Sequence, residues 1–197
     1  MLRRTFLTLF TAVAAALALP ALAANPQVEF DTTAGKFRVE LFPDAAPKTV
    51  ANFLDYVKAK HYDGTQFHRV IAGFMIQGGG FTPDFMQKPT KPPIAIESEA
   101  SSKAGLANVP GTIAMARTGD PNSATAQFFI NVADNKFLNF RSADPQGYGY
   151  TVFGKVVEGM EVVDRIAKSP TGPGGPFPKD VPTEKVIINK AVVVDAK

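Results

Sequence analysis

Chain breakers fall too often in this sequence for long helices to form. Sixteen prolines and sixteen glycines are spread over 197 residues. Each proline lacks a backbone donor and fixes its own φ, and each glycine favours a turn. What survives between them is a series of short apolar segments, which suits a β-rich fold better than a helical bundle. The hydrophobic fraction, 45%, is enough for one substantial core, and the length fits a single domain.

Read along the chain, Val28 to Thr32 and Lys36 to Phe42 alternate apolar and polar residues around Ala34-Gly35, the pattern of a hairpin. A helix is expected next. Asp44 could cap it, Pro47 suits its first turn, and Val50, Phe53, Leu54 and Val57 share one face as far as about Lys60. Gln66–Ile71 and Phe74–Gln77 read as two short strands, with Gly78-Gly79-Gly80 closing the second. Ile94–Glu97, Gly111–Arg117, Ala126–Val132, Thr151–Val157 and Val186–Val194 complete the strand candidates. Met160–Lys168 reads as a second helix. Phe81–Pro93 and Ser169–Thr183 are rich in proline and read as loops. About eight strands and two helices favour a closed antiparallel barrel with its ends covered by the helices. An open sheet with one helical face is the alternative.

The first 23 residues stand apart. Arg3 and Arg4 precede the uncharged, largely apolar run Thr5–Leu19, and Ala21-Leu22-Ala23 has the small-x-small pattern of a cleavage site. The run is shorter than the roughly 20 apolar residues of a membrane span, so a cleaved signal peptide over residues 1–23 fits better than an anchor. The domain is then 24–197, expected outside the cytoplasm. Loss of Arg3 and Arg4 from the 21 basic residues leaves 19 against 18 acidic ones. That balance implies no nucleic-acid face. The chain has no cysteine, which excludes disulfides and thiol catalysis.

Familiar chemistries are also missing from the sequence. The two histidines, His61 and His68, do not form a zinc-binding pair, and no phosphate loop or nucleophile elbow is present. Three stretches instead place polar residues inside apolar strands: Phe67–Ile71, Gly73–Gly79 and Gln127–Asn131. Alternation puts Met75 and Gln77 on one face, and likewise Gln127, Phe129 and Asn131, with Ile76, Phe128, Ile130 and Val132 turned to a core. An apolar pocket with a few directed polar groups is how ligand sites are built.

Phe67-His68-Arg69-Val70-Ile71-x-Gly73-Phe74-Met75-Ile76-Gln77-Gly78-Gly79 resembles the signature of the cyclophilins. Gly111–Arg117, Ala126–Ile130 and Val152–Val156 resemble the blocks that follow it, in the same order, and the pattern is most similar to the periplasmic bacterial branch. The resemblance implies an eight-stranded antiparallel barrel capped by two helices. It implies a peptidyl-prolyl cis-trans isomerase that acts on Pro-containing polypeptides during folding of exported proteins. Arg69 would be the catalytic arginine, supported by Gln77. Phe74, Met75, Phe129 and Leu138 would form the proline pocket, with Gln127 as a polar contact and the backbone of Ala116 and Arg117 along the substrate.

Three positions depart from the common pattern. Phe137 stands where many members carry Trp, Tyr150 where many carry His, and Arg117 where many carry Asn. The first two resemble the bacterial branch and imply weak cyclosporin binding. His68 has two even readings, a substrate contact or a residue that shapes its strand, since alternation sets it opposite Arg69. No cofactor and no metal are expected, because bond rotation breaks no covalent bond. A monomer without a stable membrane anchor is expected. A binding module or chaperone for proline segments would share the pocket but has no need of the arginine. A barrel carrier of apolar ligands would need a hollow interior, which the many Phe, Ile and Val strand residues oppose.

Overall fold

The computed structural model describes residues 24–194. The leader and cleavage site expected at residues 1–23 lie outside the described residues. Eight strands close an antiparallel barrel: β1 (Gln27–Thr32), β2 (Gly35–Leu41), β3 (Thr65–Ile71), β4 (Met75–Gly78), β5 (Thr112–Met115), β6 (Phe128–Asn131), β7 (Val152–Glu158) and β10 (Ile187–Val194). Their order around the barrel is β1-β10-β3-β4-β6-β5-β7-β2. The closed alternative is therefore the one this chain adopts, and closure leaves none of the eight strands with an unpaired edge.

The interior is filled by aromatic rings. Phe30 and Phe37 stack at 4.8 Å, and Phe128 meets both Phe53 and Phe67 edge to face at 5.8 and 6.0 Å. Phe30, Phe53, Phe67, Phe128 and Phe153 are fully buried. A packed interior of this kind leaves no room for a carried ligand. Helix α1 (Pro47–Lys58) contributes Val50, Phe53 and Val57 to this core, and α3 (Met160–Ala167) contributes Val162, Val163 and Ile166. Both helices bury the faces that their apolar spacing specifies.

Four local expectations are corrected. Asp44 does not cap α1. The N-cap is Ala46, with Pro47 following, and the free amides of the first turn are satisfied from elsewhere: Glu97 accepts from the Lys48 and Thr49 N–H groups at 3.1 and 2.8 Å. The Ile94–Glu97 segment forms only a single bridge, Ile94 to Ala124, because Pro92 and Pro93 interrupt pairing ahead of it and Glu97 is committed to α1. A short helix, α2 (Ser98–Lys103), follows it; its sequence SEASSK has no apolar periodicity to announce it. The proline-rich 169–183 segment is a hairpin of β8 (Thr171–Gly174) and β9 (Phe177–Pro182). It is a two-stranded sheet outside the barrel, and both of its strands are edge strands, where proline is tolerated.

Candidate active site

The site is built on an irregularity in β3. Phe67 pairs with Gly78 and Arg69 with Gln77, so one residue on β4 is matched by two on β3. This β-bulge breaks strict alternation. Phe67 and Val70, three apart, both point into the core, and the two residues between them both face outward. Without the bulge Arg69 would share the buried face with Phe67; with it, the guanidinium is re-aimed at the surface. The Arg69 side chain is 45% exposed.

Beside it lies a pocket of about 150 Å³. Whole drug-sized ligands take roughly 300–1,000 Å³, so this one suits a single small ring. Its floor and walls are Met75, Phe129 and Leu138, all buried, together with Phe74. Tyr150 meets Phe129 edge to face at 5.5 Å and closes one side. Ala116 and Arg117 border the opening just past the end of β5. Arg69 and Gln77 supply the polar rim.

Polar contacts link the rim. The Arg69 Nη1 donates to Gln77 Oε1 at 3.4 Å, and Gln77 Nε2 donates to Gln127 Oε1 at 3.0 Å. Gln127 lies against the glycine triplet. A Cβ on Gly80 would come within 2.6 Å of the Gln127 side chain, so the glycine is what allows Gln127 to lie there. Arg117 is itself held in place. Its Nε donates to the Gly149 carbonyl at 2.9 Å, its Nη1 to the Thr118 carbonyl at 2.9 Å, and its guanidinium lies 4.8 Å over the Tyr150 ring.

Nine of the twelve residues singled out in the sequence line the pocket together. The other three lie around it. Gln127 stands one hydrogen bond behind Gln77. Phe137, in the short 3-10 turn Lys136–Leu138, is 64% exposed and stacks on Phe74 at 5.6 Å. His68 is elsewhere: the bulge turns it under the β8–β9 hairpin, 2% exposed, between Phe81 and Phe177. Burial pushes its imidazole pKa down to about 4. That geometry favours the strand-shaping reading of His68 over substrate contact.

Two sets of interactions escaped the sequence reading. Asn108, Asn131 and Asn135 form a buried network. Asn135 Nδ2 donates to the Phe74 carbonyl at 2.9 Å and to Asn131 Oδ1 at 2.7 Å. Asn131 donates to Asn108 Oδ1 at 3.2 Å, and Asn108 to the Leu138 carbonyl at 3.1 Å. The network thus pins the backbone of two pocket walls. Its signal in the sequence was an asparagine ending an otherwise apolar strand. The second is Asp180, whose Oδ2 lies 4.0 Å from Arg69 Nε; it was concealed in the segment read as loop.

Comparison with known proteins is consistent with this geometry. The family model for cyclophilin type peptidyl-prolyl cis-trans isomerase/CLD matches residues 27–193. The chain is 56% identical over 167 residues to peptidyl-prolyl cis-trans isomerase cyp18 of Streptomyces antibioticus, covering 85% of this chain and 98% of that one. It is 55% identical over 166 residues to peptidyl-prolyl cis-trans isomerase B of Escherichia coli strain K12, covering 84% and 98%. Among solved structures it is similar to a Cryptosporidium parvum cyclophilin type isomerase crystallised in the presence of the dipeptide Ala-Pro. That match has a TM-score of 0.70 and 28% identity, covering 86% of this chain and 99% of that one.

Proposed function

The chain belongs to the cyclophilin-type peptidyl-prolyl cis-trans isomerases, and on that premise we propose that Arg69 and the pocket beside it carry the reaction. The observation that carries this reading is the half-exposed guanidinium at the rim of an apolar, ring-sized cavity.

An X-Pro bond populates cis and trans because its amide is tertiary. Exchange is slow because conjugation is lost as the bond twists, at a barrier of about 18–20 kcal/mol. In the twisted state the proline nitrogen becomes pyramidal and its lone pair can accept a hydrogen bond. A donor aimed at that nitrogen stabilises the twisted state more than either planar one, which is the condition for catalysis. Arg69 is always charged and carries a planar fork of donors, one of which is engaged by Gln77. Phe74, Met75, Phe129 and Leu138 grip the ring while the chain on the other side rotates past Ala116 and Arg117. Their apolar surface also excludes water, which strengthens the arginine's interaction.

The test is a protease-coupled isomerisation assay on a short proline peptide, with the chain starting at Ala24. Arg69→Ala should lower kcat/KM by roughly 10²–10³, as loss of one directed donor does elsewhere, with the fold intact. Arg69→Lys should recover little, because a point charge does not reproduce the fork. Near-normal turnover of folded Arg69→Ala would overturn the assignment.

The cellular setting is part of the same proposal. The order of charged, apolar and small residues in 1–23 supports cleavage after Ala23 and a periplasmic enzyme of the bacterial branch that serves the folding of exported proteins. We take it to act there as a monomer without a membrane anchor, and to bind cyclosporin weakly. N-terminal sequencing of the exported protein tests the leader; a chain that retained Arg3 and Arg4 would count against it.

A further inference from the structure

We propose that Asp180 is a positioning residue for Arg69, holding the guanidinium so that its free donors face the pocket. The inference rests on Arg69 being the catalytic group.

Three observations converge on it. The first is the placement of the two groups. Asp180 Oδ2 lies 4.0 Å from Nε, while Nη1 donates to Gln77. Nη1 is thereby bonded to Gln77 and Nε lies nearest the Asp180 charge, which leaves the hydrogens of Nη2 and the second of Nη1 directed to substrate. Among the described residues, Asp180 is the acidic side chain within 4.0 Å of Arg69.

The second is the backbone. Asp180 has φ 66, a left-handed conformation that few residues other than glycine adopt. It sits in an irregular stretch of β9. Phe177 pairs with Gly174 and Val181 with Gly172, so β9 advances four residues while β8 advances two. Such irregularities re-aim side chains, and this one aims a carboxylate at Arg69. The side chain is 22% exposed, against 45% for Arg69.

The third is the anchoring of the hairpin. Phe177 packs on His68 at 5.4 Å and on Phe81 at 5.2 Å. His68 is the residue next to Arg69, so the hairpin that carries Asp180 is fixed to the strand that carries the arginine. A half-exposed arginine otherwise samples many rotamers, and each is a cost to recover when the donors must point one way.

At 4.0 Å the pair is too long for a hydrogen bond and acts through charge. Asparagine has nearly the same shape and tolerates the left-handed backbone, so Asp180→Asn removes the charge alone. Glycine suits the backbone and removes the whole side chain. The experiment measures kcat and KM on a short Ala-Pro peptide for the unsubstituted chain, Asp180→Asn, Asp180→Gly, Arg69→Ala and the Arg69→Ala/Asp180→Asn double variant, with circular dichroism to check folding.

Both Asp180 variants should lower kcat about two- to fivefold, the range of a partly exposed ion pair, with KM nearly unchanged. The effect should vanish in the Arg69→Ala background. Unchanged kcat in the folded single variants would overturn the proposal. So would a raised kcat, which would mean that the carboxylate damps the arginine's charge. A loss that persisted without Arg69 would assign Asp180 a structural role instead. If Arg69→Ala itself kept its activity, the assignment of Arg69 would fail, an outcome distinct from all of these.

Discussion

Glu97 and Thr49 are 48 residues apart, yet the Glu97 carboxylate caps the helix that Thr49 helps to begin. One carboxylate oxygen accepts from the Lys48 amide. The other accepts both the Thr49 amide and the Thr49 hydroxyl, each at 2.8 Å. Pro47 has no amide hydrogen and the Ala46 N–H donates to the Phe42 carbonyl, so both amides that the first turn of α1 leaves open are satisfied this way, and a negative charge is set at the positive end of the helix dipole.

Glu97→Ala should therefore destabilise the protein although Glu97 lies outside the helix that it caps. Loss of a good cap costs about 0.5–2 kcal/mol, and the Thr49 hydroxyl loses its partner as well, which puts the expected effect at the upper end. Urea unfolding of the two proteins measures it. The midpoint should fall while the slope stays the same, since the same surface is exposed on unfolding. An unchanged midpoint would mean that water replaces the carboxylate without loss.

The buried histidine makes stability depend on pH. Burial keeps His68 neutral in the fold, with a pKa of about 4, while the unfolded chain takes up its proton near the ordinary value of 6.5. Between those values the unfolded state binds more protons, so stability falls as pH falls through that window and levels off below it. The full contribution is about 3 kcal/mol, roughly half of it lost between pH 6.5 and 5. His61 is shifted down by burial too and adds to the slope. His68→Phe keeps a ring between Phe81 and Phe177 and removes the titration. Thermal unfolding across pH 5–6.5 should show a shallower slope for the variant, and equal slopes would refute the account.

These two residues mark what could be read before the structure was known. The barrel and the pocket were legible because both rest on local patterns. Ile76, Phe128 and Ile130 alternate with Met75, Gln77 and Phe129, and that alternation is what sends one set to the core and the other to the pocket. Glu97 was not legible as a cap, because a helix end can recruit its partner from anywhere in the chain; Asp44, nearer in sequence, was the natural choice. The alternation that set His68 opposite Arg69 failed for a related reason. A single bulge between Phe67 and Arg69 undoes alternation, and nothing in the five residues Phe67–Ile71 announces it. Asp180 was invisible because proline and glycine signal turns equally well in a loop and in a two-stranded hairpin.

The asparagine network predicts a coupling between stability and substrate affinity. Asn131→Val would leave Asn135 Nδ2 and Asn108 Oδ1 each without one partner in a buried setting. The cost should be about 1–3 kcal/mol. Because the network also holds the Phe74 and Leu138 carbonyls, the pocket walls should loosen. KM for a proline peptide should then rise more than kcat falls, since Arg69 and Gln77 are untouched. Steady-state kinetics alongside thermal unfolding separates the two effects. A destabilised variant with unchanged KM would show that the walls are held without the network.

Phe137 sets the expected response to cyclosporin. At this position many cyclophilins carry a Trp whose indole N–H donates to the drug and whose ring covers part of it. Phe137 keeps an aromatic face, stacked on Phe74 with planes 25° apart, but has no donor. A drug acceptor buried without a partner costs about 1–3 kcal/mol, or roughly one to two orders of magnitude in affinity. The Phe137 ring is 64% exposed, so a larger indole fits at this place without overpacking the core. Phe137→Trp should therefore tighten cyclosporin binding by about that factor. Turnover of short proline peptides should barely change, because Phe137 is not among the residues that line the ring pocket of Phe74, Met75, Phe129 and Leu138 and that pocket does not use the donor. Titration of both proteins with the drug, read out as residual isomerase activity, measures the difference. Equal inhibition of the two would show that the missing donor is not what limits binding, and the equivalence of Phe137 with the family's Trp would have to be abandoned.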